Sequence, residues 1–527
     1  MRLAAGATAA AALTACGDTV GTTPTPSAIM TSGATVAVAP AATPGSVTTP
    51  ATVPAMGVVT IPPTNAKLPT EKVDFHWVDS AGEKLPFLKA YFAAYQQAHP
   101  NIAVQYEGLP FTEIAKVIPL GIQNGNAPDV FVIPSNFTVA QAVQQGWIRP
   151  FDDIVPNFDA WKAAFPPGTF FEGINVFKGK TYSFPSVATR KNNAMLLYNV
   201  EYMKQAGLDP QAKPFTWDAY RAAAKKLTQQ GAGKYFGVLI PGGEVGRWAG
   251  LVRGLGQMAG ATGGPDDINY KTGEYNYTTD QYLGVIDLLL ALKADGSVFP
   301  GSLSLNALQA DAQMPQGVAA MVINGAYMFP QWRADFPTFA WDVASQPVPN
   351  SGTPSPLTYN PGGATWLVYA KTGQPAIAGD MIAYVGSEAG QTAFMTIIGG
   401  SQPSVFAKAN QAPGIDPLAR KAVALFEQQM RLSPSPAVRN TDIALLAPEQ
   451  KPLTPDFGTV IQGIYTGQLS DPKKAMQDLK DRSDKELERA IKAAQAKGAK
   501  VSRDDFIFPN WDPMKDYTEA DYTALKK

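Results

Sequence analysis

A strand–helix alternation that begins at Val73 places the tightest limit on the fold of this 527-residue chain. Residues 73–78 alternate apolar and polar side chains and are rich in β-forming residues, which predicts a strand. A helical spacing follows, then a second strand at 102–106, a second helix and a continuous apolar run at 128–133. This order is typical of βαβ units, so we predict an α/β fold whose ligands bind beyond the carboxyl ends of the strands.

A second α/β block is predicted to begin near residue 193. Its strands and helices follow from short buried runs, from helical spacing and from one N-capping threonine. The predicted elements are a strand at 194–199, a helix capped by Thr216, strands at 274–278 and 318–322, a helix at 376–398 and a charged helix at 471–500.

Composition excludes several classes of function. The formal net charge of −1 provides no overall field for holding nucleic acid. A single cysteine rules out an intrachain disulfide and a cysteine-based zinc site. His76 and His99, the two histidines of the chain, are too few for most histidine-based catalytic and metal sites. We therefore expect no nucleic-acid partner, no cofactor and no metal.

The N-terminal residues have the features of an exported lipoprotein. Residues 1–16 form a short apolar segment that ends in Leu13-Thr14-Ala15-Cys16, which looks like a bacterial lipobox with Cys16 as the lipidated residue. Residues 17–71 are rich in Thr, Pro and Ala, with no charge between Asp18 and Lys67, which predicts a disordered tether. We expect an extracytoplasmic protein held at a membrane by its lipid.

Several short motifs occur in an order that resembles a known family. The chain resembles the family 1 extracellular solute-binding proteins of bacterial ABC importers, which are maltose-binding-protein-like, over residues 72–510. The resemblance rests on Ala127-Pro128-Asp129-Val130, Leu197-Tyr198-Asn199, Ala206-Gly207-Leu208-Asp209-Pro210, Pro214-Phe215-Thr216-Trp217-Asp218, Ala320-Met321-Val322-Ile323-Asn324-Gly325 and Pro361-Gly362-Gly363.

This resemblance implies a two-lobed periplasmic-binding-protein fold of type II, each lobe a mainly parallel sheet flanked by helices, with a ligand cleft between the lobes. Lobe one is expected at 72–186 plus 345–402 and lobe two at 187–344 plus 403–527. The implied function is capture of a carbohydrate by interlobe closure and its delivery to an ABC permease. The protein is expected to be a monomer without enzymatic activity.

Candidate ligand contacts lie on loops at the predicted strand ends and in a Gly-rich stretch that supplies cleft contacts in the family. A sugar is held by aromatic rings on its apolar faces and by planar polar groups on its hydroxyls. The candidates are Trp77, Asp79, Ser135, Asn136, Arg190, Asn192, Glu244, Arg247, Trp248, Tyr327, Gly362 and Gly363.

Other interpretations remain open on the sequence alone. Trp77 and Trp248 fit a buried core about as well as a binding cleft, and Asp79 fits a helix cap. The same fold could bind a polyamine, a peptide or another small solute. A tethered glycosidase would require two carboxylates about 5–9.5 Å apart across a sugar, and the sequence does not exclude such a pair.

Overall fold

The computed structural model describes residues 59–80, 82, 84–134, 137–191 and 194–525. Cys16, the signal segment at 1–16 and the tether up to residue 58 lie outside the described residues. The same holds for three candidate site residues, Ser135, Asn136 and Asn192. Predictions on these residues stay predictions.

Strands and helices alternate along most of the described chain. The strands are β1 (Val73–Ser80), β2 (Ile102–Leu109), β3 (Val130–Val132), β4 (Val176–Phe177), β5 (Lys180–Thr181), β6 (Met195–Asn199), β7 (Phe236–Leu239), β8 (Ala319–Asn324), β9 (Trp341–Ala344), β10 (Leu357–Tyr359), β11 (Trp366–Val368) and β12 (Met430–Leu432). The α-helices are α1 (Leu85–Ala98), α2 (Phe111–Asn124), α3 (Val139–Gln144), α4 (Phe158–Ala163), α5 (Val200–Gln205), α6 (Trp217–Gly231), α7 (Val245–Met258), α8 (Asp280–Ala294), α9 (Ala307–Gln313), α10 (Phe329–Asp335), α11 (Pro375–Val385), α12 (Glu388–Ile397), α13 (Pro417–Gln429), α14 (Pro436–Arg439), α15 (Phe457–Thr466), α16 (Pro472–Ala496) and α17 (Glu519–Leu525).

The first lobe is built on a four-stranded sheet with the order β11-β3-β1-β2. Strand β1 runs parallel to β2 over its full length and parallel to β3, as the βαβ pattern predicts. Strand β11 returns from much later in the chain and pairs antiparallel with β3. Helices α1 and α12 pack together through Phe87 and Phe394, whose ring centres are 5.0 Å apart.

The second lobe is built on another four-stranded sheet, with the order β7-β8-β6-β9. Only β7 and β8 run parallel, whereas β6 is antiparallel to both β8 and β9, so the expected mainly parallel sheet is wrong for this lobe. The chain enters the second sheet at the start of β6 and leaves it at the end of the adjacent β9. Because these two strands are antiparallel, the entry and the exit lie at the same end of the sheet. Met195, at the start of β6, lies opposite Asn324, at the end of β8.

Side-chain alternation on β6 joins the two halves of the core. Met195 and Leu197 face a hydrophobic cluster that also contains the first sheet. Leu196 and Tyr198 face a second cluster formed with the helices of the second lobe. Successive side chains of a strand point to opposite faces, so β6 is buried on both sides, as its continuous apolar sequence predicts.

The local predictions have mixed outcomes. The side chain of Thr216 accepts a hydrogen bond from the backbone N–H of Ala219, which confirms the predicted cap. Residues 274–278 are not a strand, because Asn276–Thr278 forms a 3-10 helix. The expected helix at 376–398 is divided into α11 and α12, because Ser387 begins a new helix by accepting from Gly390.

The charged stretch forms α16, a helix of 25 residues that buries Leu479 and Leu487 on one face. This arrangement confirms the helix predicted at 471–500. None of the helices in the described part of the chain is both long enough and apolar enough to span a bilayer.

The last part of the expected tether packs on the first lobe instead of being disordered. Val59 is 8% exposed, and Ile61 and Leu68 contact the first hydrophobic cluster. The hydroxyls of Thr64 and Tyr95 both donate to the carboxylate of Asp380. Residues 59–71 therefore belong to the folded domain, since their scattered apolar side chains find partners that sequence periodicity does not reveal.

Candidate functional site

A cavity of about 1050 Å³ lies at the end of the second sheet where β7 and β8 finish and β6 begins, beside the segments that connect the two lobes. Its walls come from helix α7, from the connection that leads into β6, and from the paired strands β10 and β12. The lining residues are Thr189, Lys191, Ala194, Pro241, Gly243, Glu244, Val245, Gly246, Arg247, Gly250, Leu251, Arg253, Gly254, Gln257, Pro265, Ile323, Leu357, Thr358, Tyr359, Asn360 and Met430.

One face of helix α7 forms the longest wall of the cavity. Arg247, Gly250, Arg253 and Gln257 follow each other at intervals of three or four residues, so they lie on the same side of the helix. A Cβ atom added at Gly250 would meet no other atom within 4 Å. The backbone of α7 is therefore open to the cavity at this glycine.

The guanidinium of Arg247 is the centre of a polar network at the start of α7. Its Nη2 donates to the hydroxyl of Tyr327 at 2.8 Å, and its Nη1 donates to Oδ1 of Asn324 at 3.3 Å. The carboxylate of Glu244 lies 3.3 Å from its Nε. These contacts fix the guanidinium at the cavity wall while 26% of its side chain remains exposed.

Arg253 is held by a bidentate ion pair two turns further along α7. Its Nε and Nη2 lie 2.8 and 2.7 Å from the two carboxylate oxygens of Asp267. The hydroxyl of Tyr282 donates to the same carboxylate at 2.9 Å. Burial would lower the pKa of Arg253, but the hydrogen bonds and charge of Asp267 raise it well above its usual value. The guanidinium is therefore a permanent cation at the cavity wall.

The opposite wall is polar but mostly uncharged. Nε2 of Gln257 donates to Oγ1 of Thr358 at 3.0 Å, which joins α7 to β10. The ammonium of Lys191 donates to Oε1 of Gln402 at 2.7 Å. Tyr359 is the single aromatic residue among the described lining residues. Lys191, Arg247 and Arg253 line the cavity, but Glu244 is paired with Arg247 and Asp267 with Arg253, so the charges of both arginines are balanced at the wall.

A buried carboxylate lies behind Arg247, on the α7 side of the cavity. Asp311 of α9 is 2% exposed, and its Oδ1 accepts from Nδ2 of Asn324 at 2.8 Å. Burial raises the pKa of Asp311 to about 6, which the nearby Tyr327 hydroxyl and Arg247 only partly oppose. The network that orients Arg247 therefore ends in an acid that titrates within the ordinary pH range of proteins.

The predicted lobe-one contacts at the end of β1 do not face the cavity. Trp77 is fully buried, with ring centres 5.3 Å from Phe92 and 5.6 Å from Trp366. Asp79 is also fully buried and accepts from Lys84 at 2.5 Å and from the indole of Trp366 at 2.6 Å. The cleft prediction is wrong for both residues, because β1 is a central strand and Trp366 of β11 packs on Trp77 and donates to Asp79.

The two aromatic candidates of the second lobe have different positions. Trp248 is fully buried, its Nε1 donates to the carbonyl of Gly242 at 3.0 Å, and its ring centre lies 4.5 Å from that of Tyr465. The prediction that this indole faces the interlobe space is therefore wrong. Tyr327 is half-buried and reaches the cavity wall only through its bond to Arg247. Burial raises the pKa of its hydroxyl to about 12.

The glycines after Pro361 make close contacts within the protein rather than with an open site. A Cβ atom at Gly362 would lie 2.8 Å from Ile174, and one at Gly363 would lie 2.8 Å from Pro185. Both residues have positive φ, 69° and 129°, which favours glycine. Neither glycine lines the cavity beside α7, and their role as ligand contacts stays a prediction.

Of the described candidates, Glu244 and Arg247 line the cavity directly, and Arg190 lies between two lining residues. The sequence reasoning missed Arg253, Gln257 and the residues of β10. The helical period that starts at Arg247 would have identified Arg253 and Gln257. No local signal marks β10, because its place depends on pairing with β12, more than seventy residues later. Among the described residues, no group of acidic, histidine or cysteine side chains could hold a metal ion.

Comparisons with known proteins agree with this architecture. An ABC substrate-binding protein of Listeria monocytogenes in complex with cycloalternan is 18% identical, covers 79% of this chain and 99% of its own, and has a TM-score of 0.57. The GacH receptor of Streptomyces glaucescens, solved unliganded and with acarbose, is 18% identical and has a TM-score of 0.60. The match covers 79% of this chain and 99% of the GacH chain. These likenesses show the two-lobed fold.

A protein of Brucella abortus described as a binding protein is 24% identical over 267 residues, which are 51% of this chain and 61% of the relative. The match thus spans about three fifths of that relative's length. The model of the bacterial extracellular solute-binding protein family matches residues 81–392, more than half of the chain. The chain belongs to the family of bacterial extracellular solute-binding proteins.

Proposed function

We propose that this protein is the substrate-binding component of an ABC importer, that it binds an oligosaccharide in the cavity beside α7, and that it performs no chemistry itself. The cavity carries the proposal: its volume of about 1050 Å³ is at the upper end of the range for drug-sized ligands. Its walls offer guanidinium, amide and hydroxyl groups of the kind that bind sugar hydroxyls. The cycloalternan and acarbose complexes of the structural neighbours support a carbohydrate ligand.

Charge argues against the polyamine alternative. A polyamine is a multiple cation, whereas Lys191, Arg247 and Arg253 line the cavity, and the carboxylates of Glu244 and Asp267 are already paired with Arg247 and Arg253. The same count argues against a glycosidase, which needs two carboxylates that face one sugar. Glu244 is the single carboxylate residue among the described lining residues.

We expect uptake to follow the mechanism that is general for two-lobed binding proteins. Ligand that contacts both lobes, or the segments between them, favours the closed state over the open one. The closed, loaded protein would then deliver its sugar to the permease subunits at the membrane. We expect the binding protein to act as a monomer.

The ligand class can be tested by thermal unfolding in the presence of maltotriose, raffinose, acarbose, spermidine or trialanine. A ligand at 100 times its Kd stabilises the native state by about 2.7 kcal/mol. We expect stabilisation by at least one carbohydrate and none by spermidine. Stabilisation by spermidine or trialanine alone would contradict the proposal.

A Gly250→Met substitution tests whether the cavity is the binding site. The new side chain would extend into open space, and replacing a helical glycine favours helix by up to about 1 kcal/mol, so folding should not suffer. We expect affinity for the carbohydrate found above to fall at least about 10-fold, or 1.4 kcal/mol, in calorimetric titration.

Gly373→Met is the matched control, because Gly373 also has no atom within 4 Å of an added Cβ and does not line the cavity. Equal affinities of the Gly250 and Gly373 variants would place the ligand elsewhere.

We further propose that Cys16 carries a lipid that holds the protein at the extracytoplasmic face of a membrane. The support is the lipobox-like sequence at 13–16 and its position before a charge-free segment. Cys16→Ala should release the protein from the membrane fraction, or leave it unprocessed, with an unchanged melting temperature of the folded domain. Recovery of a mature, lipid-modified Cys16→Ala protein in membranes would contradict the lipobox assignment.

A further inference from the structure

The chain continues beyond α16 into a C-terminal extension, residues 499–525, that forms a hydrophobic cluster of its own. Phe508 and Trp511 of the extension pack with Tyr270, and the backbone N–H of Phe508 donates to the carbonyl of Tyr270. This cluster also contains Leu487 and Ile491 of α16. The extension is thus anchored to the second lobe through buried apolar contacts.

Asp516, near the end of this extension, reaches the connections between the lobes. Its carboxylate lies 3.1 Å from Nη2 of Arg190, in the connection that enters β6. The same carboxylate accepts from the backbone N–H of Leu432 in β12 at 2.6 Å, and the adjacent Tyr517 N–H donates to the carbonyl of Leu432 at 2.9 Å. Strand β12 lies on the stretch between α12 of the first lobe and α15 of the second, directly after α13, which is paired with β9 through Lys421 and Asp342.

Asp516 contacts the third connection only through Arg190. Its guanidinium carbon lies 4.9 Å from the ring centre of Tyr359, in β10, which belongs to the segment between β9 of the second sheet and β11 of the first. Tyr359 also pairs with Leu432 in the β10–β12 ladder, and it lines the cavity. One carboxylate is therefore in contact, directly or through Arg190, with all three stretches of chain that run between the lobes.

We propose that Asp516 is a positioning residue of the binding cleft: it holds Arg190 on Tyr359 and ties the three connecting segments together, and so sets how readily the lobes close. The consequence for affinity rests on the proposed solute-binding function, whereas the effect on lobe geometry does not. The side chains of Arg190 and Asp516 are 32% and 39% exposed, and partly exposed ion pairs contribute little to folding stability. Their place at the junction of three segments gives the pair a conformational role instead.

The lobe-to-lobe distance of the ligand-free protein tests this inference. Leu120 on α2 of the first lobe and Leu308 on α9 of the second are 57% and 69% exposed, so each can be replaced by cysteine and spin-labelled. Because Cys16 is the only native cysteine, a full-length Cys16→Ala background makes the labels specific. We expect Asp516→Ala to shift or broaden the distance distribution measured by pulsed electron resonance. Asp516→Asn, which keeps an acceptor for Leu432 but loses the charge, should show a smaller change.

Asp512→Ala is the matched control, because Asp512 lies on the same extension and its ion pair, at 3.0 Å, is with the neighbouring Lys515. Arg190→Met, made in the same background, should reproduce the effect of Asp516→Ala, and the double variant should add little to it. Distance distributions of the Asp516 and Arg190 variants that match those of the parent and the control would overturn the inference.

Affinity gives a second readout, with maltotriose, raffinose and acarbose as probes. Substitutions that act on a coupled equilibrium without touching the ligand change affinity roughly 2- to 30-fold. We expect a change of that size in Asp516→Ala, with an unchanged melting temperature in the absence of ligand. If the distances shift but none of the three sugars binds to the parent protein, the carbohydrate assignment fails and the inference on Asp516 stands.

Discussion

Trp248→Ala should lower the free energy of unfolding by about 3–5 kcal/mol, the usual cost of removing a large aromatic side chain from a core. The indole is fully buried in the second lobe and packs against Tyr465 of α15. The carbonyl of Gly242 would keep a partner, because Gln462 also donates to it at 2.8 Å. The expected loss is therefore one of packing, and denaturant unfolding without ligand measures it.

Phe111→Ala provides the control, because this aromatic ring is 53% exposed and its removal should change stability far less. At a temperature where the Trp248→Ala variant is folded, its carbohydrate affinity should fall only in proportion to the small fraction of unfolded protein. A strong loss of affinity with an unchanged unfolding free energy would mean that the indole contacts the ligand after all.

The elements that sequence predicts well are those decided by neighbouring residues. Strand β6 is a continuous apolar run, and a run of this kind is buried on both faces whichever lobe it belongs to. Thr216 caps α6 because its hydroxyl reaches a backbone N–H only three residues away. The charged helix α16 follows in the same way from the spacing of Leu479 and Leu487.

The site predictions failed where the outcome depends on distant parts of the chain. Trp77 lies near the end of a strand, which is the expected place for a ligand contact, but Trp366 from a later strand covers it. Trp248 stands directly after Arg247 in sequence, yet its side chain is fully buried while that of Arg247 lines the cavity, because successive helical residues lie about 100° apart around the axis. Which side faces the cavity is decided by α15, which packs on the Trp248 side.

Asp311→Asn should gain roughly 3 kcal/mol of stability relative to the wild type as the pH rises from 4 to 8. The pKa of Asp311 is raised from 3.8 to about 6 by burial, and each pKa unit corresponds to about 1.4 kcal/mol. Below pH 3.8 the carboxyl is protonated in both the folded and the unfolded chain and contributes nothing. Between pH 3.8 and 6 the unfolded chain releases the proton first, so wild-type stability falls, and above pH 6 the deficit stays constant.

Asparagine has the same shape, remains uncharged throughout and can still accept from Asn324, so the variant should lack this dependence. Its new amide group replaces Oδ2 of Asp311, which has no hydrogen-bond partner among the described residues. Burying this amide without a partner costs the same free energy at every pH. Urea unfolding of both proteins at several pH values separates this constant from the titration. Asp287→Asn, an exposed carboxylate on α8, is the control. A difference between Asp311→Asn and wild type that does not change from pH 4 to 8 would contradict the prediction, because a buried acid that ionises without cost must have a partner for its charge.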